Sequence, residues 1–197
     1  MINRPKIGLL GGSFNPIHKA HIKLALSALE QLPLKHVELL PAGQPWQKDS
    51  LSVSAEHRLA MLKIAAEGHP KILFNTIEIA RDGPTYTIDT VRQLSDDNDY
   101  YLLMGSDQLQ NFTTWHGWQE IMQKLTLVVA KRPNYTTDIP QKMVAAQLPG
   151  KEIIQITFDE VDISSTEVRQ RLANGQDVSA YLHPEVIRYI KKHNLYQ

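Results

Sequence analysis

The hydrophobic positions of this chain follow two alternating patterns. Six short runs rich in Leu, Ile and Val have the length and composition of buried β-strands. They are Lys6–Leu10, His36–Leu40, Ile72–Asn75, Tyr100–Met104, Leu125–Ala130 and Ile153–Thr157. Apolar residues recur at helical spacing over Ile22–Leu32, Ser54–Glu67, Tyr86–Leu94 and His183–Asn194. This alternation predicts an α/β fold, a Rossmann-like, doubly wound and mostly parallel sheet with helices on both faces, within one domain spanning residues 1–197.

Candidate chemistry begins directly after the first predicted strand. Gly11-Gly12-Ser13 follows this strand, and a helical pattern begins near His18 and His21. Glycines let main-chain N–H groups approach a ligand closely, and a helix N-terminus attracts anions. The spacing of His18 and His21 places both on one face of the first helical turn. The segment lacks the spacing of the dinucleotide fingerprint and of the Walker loop. It indicates histidine-assisted chemistry on a phosphoanhydride.

A second candidate anion site lies in the segment Ile163–Arg169. Ser164 and Glu167 have the spacing of a capping box, so the segment has the features of an ordinary helix start. Exposed N–H groups, nearby hydroxyl groups and Arg169 on the first turn would equally form a phosphate cradle. Taken alone, the segment is compatible with both interpretations.

Composition narrows the class of protein. The 197 residues include 21 Lys plus Arg and 21 Asp plus Glu, so the formal charge is zero, which argues against an extended nucleic-acid surface. Cysteine is absent, which excludes disulfides and thiolate metal sites and is compatible with a reducing compartment. No apolar run approaches the roughly 20 residues that span a bilayer. We therefore expect a soluble, cytoplasmic protein without membrane or nucleic-acid partners.

Together, the two candidate anion sites resemble the nucleotidyltransferase superfamily. Gly11–His21 is similar to its signature G-G-[ST]-F-[DN]-P-x-H-x-[GA]-H, and Ile163–Arg169 to its signature I-S-[ST]-T-x-[IV]-R. Ala20 stands where glycine is more usual, and its methyl group narrows the space near a nucleotide. The resemblance implies an ATP site formed by Gly11, Gly12, Ser13, Phe14, His18, His21, Asp107, Ser164, Ser165, Thr166 and Arg169. Within it, the three hydroxyl residues would contact the β- and γ-phosphates, and Arg169 would hold the departing pyrophosphate.

The middle of the chain resembles the bacterial nicotinate mononucleotide adenylyltransferases. The similar segments are Gly83–Thr90, Met104–Leu109, Thr113–Trp118 and Arg132–Tyr135. The resemblance implies that nicotinate mononucleotide is bound by Asn15, Lys48, Tyr86, Thr87, Trp115, His116 and Arg132. A physical reason supports part of this set, because an indole face such as that of Trp115 stacks well on a pyridine ring.

Structural roles remain open for several of these residues. Trp115 and Trp118 have the spacing of a pair that packs a helix onto the sheet, and we assign Trp115 to the ligand and Trp118 to the core. Thr85–Thr87 would also suit a helix N-cap, as would Asp107 after Gly105. Lys48 belongs to the irregular loop Pro41–Lys48, where it either reaches a phosphate or is solvated.

The resemblance implies adenylyl transfer in NAD biosynthesis. The phosphate of nicotinate mononucleotide would attack the α-phosphorus of ATP and release pyrophosphate, with catalysis by positioning and charge stabilisation. The catalytic residues would be His18, His21, Lys48 and Arg169. Mg²⁺ would bridge the triphosphate oxygens without a protein carboxylate cage. The sequence leaves open a homo-oligomer and another acceptor, such as nicotinamide mononucleotide, phosphopantetheine or a sugar-alcohol phosphate. A non-catalytic nucleotide-binding regulator is the alternative of another class.

Overall fold

A six-stranded parallel sheet organises the protein. The computed structural model describes residues 4–45, 53–131, 138–146, 152–158 and 163–197. The sheet strands are β1 (Lys6–Gly12), β2 (His36–Pro41), β4 (Ile72–Phe74), β6 (Asp99–Gly105), β7 (Thr126–Ala130) and β8 (Ile154–Ile156), and a further pair is β3 (Gln44–Pro45) with β5 (Pro84–Thr85). The order β4-β2-β1-β6-β7-β8, with every pair parallel, is that of a doubly wound fold. The predicted Rossmann-like fold class is confirmed.

Successive residues of the central strands enter two separate cores, one on each face of the sheet. In β1, Leu9 belongs to one core and Leu10 to the other, because neighbouring side chains of a strand point to opposite faces. In β7, Leu127 and Val128 divide in the same way. Both faces of these strands are thus covered, which explains why they are almost continuous apolar runs.

Eight helices surround the sheet within the described residues. They are α1 (Lys19–Gln31), α2 (Ala55–Ala65), α3 (Thr87–Val91), α4 (Ser106–Asn111), α5 (Trp118–Lys124), α6 (Gln141–Ala145), α7 (Ser165–Ala173) and α8 (Pro184–Lys192), with a 3₁₀ turn at Phe112–Thr114. Helices α1, α2, α7 and α8 contribute to the core that contains Leu10, and α3 to α6 to the core that contains Leu9. No helix in this described part of the chain is long and apolar enough to cross a membrane.

The register of the central strands creates an opening at one edge of the sheet. Pairing of β1 with β6 ends at Leu9 and Leu102. Pairing of β1 with β2 continues to Gly12, and pairing of β6 with β7 continues to Gly105. The carboxyl ends of β1 and β6 therefore separate at the point where the strand order reverses, which is where ligands bind in open α/β sheets.

The predicted elements agree with the observed ones to within a few residues, with one error in the loop after β2. Pro41–Lys48 was predicted to be irregular, yet Gln44–Pro45 pairs with Pro84–Thr85 as a short parallel ladder. Gly43 permits this approach, because a Cβ atom there would lie 2.3 Å from the carbonyl oxygen of Glu78. The pairing partner is distant in sequence, so local patterns carry no signal for it. The short helices α4, α5 and α6 lie outside the predicted helical ranges.

The loop between β1 and α1 is held from inside the protein by Arg58 of α2. Its side chain is 1 % exposed, and its guanidinium donates to the carbonyl oxygens of Ser13 at 2.8 Å and Gly43 at 3.2 Å. Burial lowers the pKa of this guanidinium, opposed by the nearby side chains of Glu56 and Tyr196. Arg58 thereby joins the loops that follow β1 and β2 at the open edge of the sheet.

Replacing Arg58 by Lys is expected to destabilise the protein. A lysine ammonium lacks the planar fork that reaches two carbonyl groups, and each buried acceptor left unpaired costs about 1–3 kcal/mol. Denaturant unfolding should show a lower midpoint for Arg58→Lys. The matched control is Arg92→Lys, which alters an exposed ion pair with Glu120 and should change the midpoint little. Equal stability of the Arg58→Lys variant and the wild type would contradict the role assigned to Arg58.

Candidate active site

The two predicted anion-binding segments meet in space. Arg169 donates from Nη1 to the carbonyl oxygen of Asn15 at 2.8 Å, and the hydroxyl of Ser165 donates to the carbonyl oxygen of Pro16 at 3.1 Å. These hydrogen bonds dock the first turn of α7 against the β1–α1 loop, although the sequence separates the partners by about 150 residues. The N-termini of α1 and α7 are thereby joined through the loop.

The imidazoles of His18 and His21 stack at the start of α1. Their ring centroids are 3.7 Å apart and their planes are tilted by 31°. His18 is the N-cap of α1, with an extended backbone, and His21 lies on the first turn, so the rings meet at the helix start and not on one face of the first turn as predicted. The backbone N–H of His18 donates to Nδ1 of His21 at 3.2 Å, so the proton of a neutral His21 lies on Nε2. His21 therefore offers an N–H donor on the side of the ring opposite to the helix start.

A small hollow adjoins the histidine pair. It has a volume of about 40 Å³ and is lined by His18, Ala20, His21, Leu24, Gly105, Ala130 and Phe158. The Ala20 methyl group, which replaces the more usual glycine, is thus part of its wall. Gly105 is the N-cap of α4, so the hollow lies beside the helix that carries Asp107.

The first turn of α7 forms the predicted helix cap and also leaves hydroxyl groups exposed at the helix N-terminus. Ser164 is the N-cap, and its hydroxyl accepts from the backbone N–H of Glu167 at 3.1 Å. The Glu167 carboxylate accepts from Arg171, and among the described residues only the serine half of the predicted capping box forms. Thr166 accepts from Arg169 at 3.2 Å, which orients the guanidinium along the first turn. Ser164 and Thr166 are exposed at a helix N-terminus, where N–H groups attract anions.

A cavity occupies the opening between β1 and β6. This strand-end cavity has a volume of about 170 Å³. Its lining comes from the ends of three strands, from α3 and from the 3₁₀ turn, and includes Gly11, Gly12, Ser13, Ala42, Glu78, Thr85, Thr87, Gln108 and Trp115. It therefore brings together residues predicted for the ATP site and residues predicted for the mononucleotide site.

The two adjacent glycines of β1 are needed for different reasons. A Cβ atom on Gly12 would lie 3.2 Å from the ring of Phe14, so Gly12 makes room for a buried side chain. A Cβ atom on Gly11 would meet nothing within 4 Å, and Gly11 lines the strand-end cavity. The missing side chain of Gly11 thus keeps ligand space open, whereas that of Gly12 serves packing.

Trp115 and its neighbours form one side of the strand-end cavity. Trp115 lines the cavity and packs against Phe112, whereas Trp118 contacts Phe112 and does not line the cavity. Gly117 has φ +66°, and a Cβ atom there would lie 2.9 Å from Ile88 of α3. Only glycine therefore lets this turn approach α3. The approach brings the exposed ring of His116 to 5.3 Å from the ring of Tyr86 at the N-terminus of α3.

A buried carboxyl group also lines the strand-end cavity. Glu78 is 6 % exposed, and its Oε1 accepts from the hydroxyl of Thr90 at 2.8 Å. Burial raises the pKa of Glu78, while the Thr90 hydrogen bond and the charge of Arg81 act in the opposite direction. Burial is the larger effect, so the environment disfavours the ionised form of this carboxyl group.

The remaining predicted site residues differ in what they expose. The Phe14 side chain is buried, so a contact with ATP would come from its backbone. The N–H of Phe14 points away from the Ser13 carbonyl that Arg58 binds, because the two groups point in opposite directions in a planar trans peptide. Asn15 is also buried. Asp107 lies on the first turn of α4 and lines a surface pocket with Trp115. Lys48 and Arg132 lie outside the described residues.

Sequence reasoning missed three side chains at this edge of the sheet. Arg58 supports the loop carbonyls, Glu78 lines the strand-end cavity, and the Tyr196 hydroxyl donates to Oδ1 of Asn15 at 2.7 Å. The tyrosine lies 181 positions after its partner, and no local pattern marks any of the three. Their polar side chains look like ordinary surface residues until the tertiary structure buries them.

Among the described residues, no group of three or more His, Asp or Glu side chains is arranged to hold a metal ion. Nucleotidyltransferases of this kind commonly use a divalent metal.

Comparison with known proteins gives a consistent family assignment. Residues 9–171 match the family model described as cytidylyltransferase-like. A Bordetella pertussis protein named probable nicotinate-nucleotide adenylyltransferase is 45% identical over 193 residues, which cover 98% of each chain. A Pseudomonas fluorescens protein of the same name is 35% identical over 98% of this chain and 97% of its own length.

Solved structures agree with these relatives. The structure of Plasmodium falciparum nicotinic acid mononucleotide adenylyltransferase complexed with NaAD superposes with a TM-score of 0.79 at 25% sequence identity, covering 98% of this chain and 97% of the other. The chain therefore belongs to the cytidylyltransferase-like family and, within it, to the nicotinate-nucleotide adenylyltransferases.

Proposed function

We propose that this protein transfers the adenylyl group of ATP to nicotinate mononucleotide, forming nicotinate adenine dinucleotide and pyrophosphate for NAD biosynthesis. The observation that carries the proposal is the docking of α7 onto the β1–α1 loop through Arg169 and Ser165. It joins two helix N-termini beside a cavity that has an aromatic wall, as a reaction between a triphosphate and an aromatic nucleotide requires. Full-length relatives with this named activity support the same assignment. We also propose a cytoplasmic location, with which the absence of cysteine is compatible.

The strand-end cavity suits the pyridine end of the acceptor. In the proposed complex, the indole of Trp115 stacks on the pyridine ring. The nicotinate carboxylate then accepts from Thr87 at the start of α3 and from backbone N–H groups near His116, because a helix N-terminus favours an anion. Gly11, which the resemblance assigned to the ATP site, lines this cavity and leaves space for the ring or ribose of the acceptor.

The chemistry proposed is a direct in-line displacement. An oxygen of the acceptor phosphate forms a bond to the α-phosphorus of ATP. The bond from that phosphorus to the oxygen that it shares with the β-phosphate breaks. The bonding electron pair leaves with pyrophosphate. An ionised phosphate is already a nucleophile, so the protein supplies position and charge stabilisation rather than a general base.

Histidine and arginine side chains carry the charge stabilisation in this proposal. His18 and His21 contact the α-phosphate, with His21 donating from Nε2, the nitrogen that its hydrogen bond to the helix start leaves protonated. Arg169 and the first turn of α7 bind the β- and γ-phosphates. Mg²⁺ bound to ATP would offset part of the phosphate charge as a component of the substrate. Lys48 and Arg132 remain predicted contacts for the phosphates and the acceptor.

The proposed function is tested by pyrophosphate release from ATP with a panel of phosphorylated acceptors. We expect nicotinate mononucleotide to give the highest kcat/KM, above nicotinamide mononucleotide, phosphopantetheine and sugar-alcohol phosphates. His18→Ala should lower turnover about 10²–10³-fold, the usual loss when one donor to transition-state charge is removed. His69→Ala, a histidine remote from the site, is the control. ATP binding without pyrophosphate release for any acceptor would favour a non-catalytic regulator instead.

The two adjacent glycines should respond differently to alanine. Gly11→Ala should leave the melting temperature close to that of the wild type, because its new methyl group meets no protein atom, but it should raise KM for nicotinate mononucleotide. Gly12→Ala should lower the melting temperature, because overpacking against Phe14 costs about 1–3 kcal/mol. Thermal unfolding and steady-state kinetics on both variants check the prediction. If Gly11→Ala lowered the melting temperature and Gly12→Ala instead raised KM for the acceptor, Gly11 would not border the acceptor.

Glu78 should make stability depend on pH. Its pKa is raised in the folded protein, so its contribution to stability is present at low pH, below its unfolded pKa of 4.5, and is lost as the pH rises through the folded value. Glu78→Gln keeps an oxygen to accept from Thr90 but cannot ionise. Thermal unfolding should therefore show the variant more stable than the wild type at pH 8, with the difference shrinking toward pH 4.5. Asp82→Asn, an exposed carboxyl in the same loop, is the control. A stability difference between Glu78→Gln and the wild type that does not change with pH would contradict its assignment to the ionisation of Glu78.

A further inference from the structure

The segment after α8 returns to the β1–α1 loop. Asn194 has φ +50°, and the N–H of Leu195 donates to the carbonyl oxygen of Ile190 at 3.1 Å, which together form a Schellman cap. Leu195 then packs against the core that contains Leu10. The cap turns the chain back over the protein and directs Tyr196 towards Asn15.

The hydrogen bond between Tyr196 and Asn15 is well defined. The Tyr196 hydroxyl donates to Oδ1 of Asn15 at 2.7 Å, and Asn15 is 3 % exposed. Tyr196 also adopts a left-handed backbone conformation, φ +64°, which is unfavourable for a residue other than glycine. Such a conformation persists only where the surrounding contacts determine it. The aromatic ring packs on the same core as Leu195, so ring packing and the hydrogen bond act together.

The charges around the hydroxyl determine which atom donates. Burial raises the pKa of Tyr196, while the guanidinium groups of Arg169 and Arg58 act less strongly in the opposite direction. The hydroxyl therefore stays protonated and can donate at neutral pH. The guanidinium groups of Arg169 and Arg58 also favour the orientation in which the carbonyl oxygen of the Asn15 amide faces the Tyr196 hydroxyl. The amide nitrogen, with its two N–H donors, is then turned away from Tyr196.

We propose that Tyr196 is a positioning residue that holds the Asn15 amide with its NH₂ group presented to the phosphate of the acceptor mononucleotide. This inference rests on the proposed function and on the placement of Asn15 in the loop between the strand-end cavity and the histidine pair. Arg169 fixes the Asn15 backbone through its carbonyl oxygen, and Tyr196 fixes the side chain. Neither contact leaves the amide free to rotate, so the acceptor meets a preorganised donor.

The test compares Tyr196→Phe with the wild type in steady-state kinetics. Phenylalanine keeps the ring packing and removes only the hydroxyl. We expect KM for nicotinate mononucleotide to rise about three- to tenfold, the usual effect of one neutral hydrogen bond, while KM for ATP and kcat stay within about twofold. Tyr189→Phe is the matched control, because it removes one tyrosine hydrogen bond, to His57, from α8 of the same chain. It should change neither KM.

A double-mutant comparison separates positioning from general stabilisation. Asn15→Ala should raise KM for the acceptor at least as much as Tyr196→Phe, and the double variant should be no worse than Asn15→Ala alone. The inference would be overturned if the effects of the two substitutions on the acceptor KM multiplied in the double variant. It would also be overturned if Tyr196→Phe changed the KM values for ATP and for the acceptor equally, or left the acceptor KM unchanged. The wild type is measured first: failure to use nicotinate mononucleotide would overturn the proposed function and this inference with it. An active wild type with an unaffected Tyr196→Phe variant would overturn this inference alone.

Discussion

Hydrogen bonds from arginine to main-chain carbonyl groups hold the candidate active site together. Arg58 binds the carbonyl oxygens of Ser13 and Gly43 from the interior, and Arg169 binds that of Asn15 from α7. Hydrogen bonds from a charged donor contribute more than neutral ones, about 1.5–3 kcal/mol each. They fix the loop through its carbonyl oxygens and do not occupy its N–H groups. Two cations close to this loop also favour the binding of a polyphosphate.

The sheet contributes a second constraint. Because β1 and β6 stop pairing at Leu9 and Leu102, their ends separate and expose the backbone of Gly11 and Gly12. A ligand can then approach main-chain atoms that would otherwise be hydrogen-bonded within the sheet. The loops that complete the strand-end cavity come from distant parts of the chain and are joined by the β3–β5 ladder and by the contact of Gly117 with α3. The strand-end cavity therefore depends on all the strand ends and loops at this edge of the sheet.

The two signatures show what could be predicted about the site. The spacing of His18 and His21 predicted that the two rings lie close together, and they do, although His18 is the N-cap that precedes the first turn. The helix start at Ser164 was also visible, because its cap is a local interaction. Arg58, Glu78 and Tyr196 were not predicted, since each acts on a partner that is distant in sequence. A side chain that becomes buried only through such a partner has no periodicity to reveal it.

By itself, the sequence determined the alternation of strands and helices, the two candidate anion-binding segments and the order in which they occur. These features depend on contacts within a few residues: the apolar runs, the helix caps and the glycines at the end of β1. Only the tertiary structure decided how the segments meet, because strand order, the end of β1–β6 pairing and the Arg169 and Tyr196 contacts depend on long-range packing. Different arrangements of the same strands and helices would share these short-range patterns. Packing of the whole molecule selects one arrangement among them.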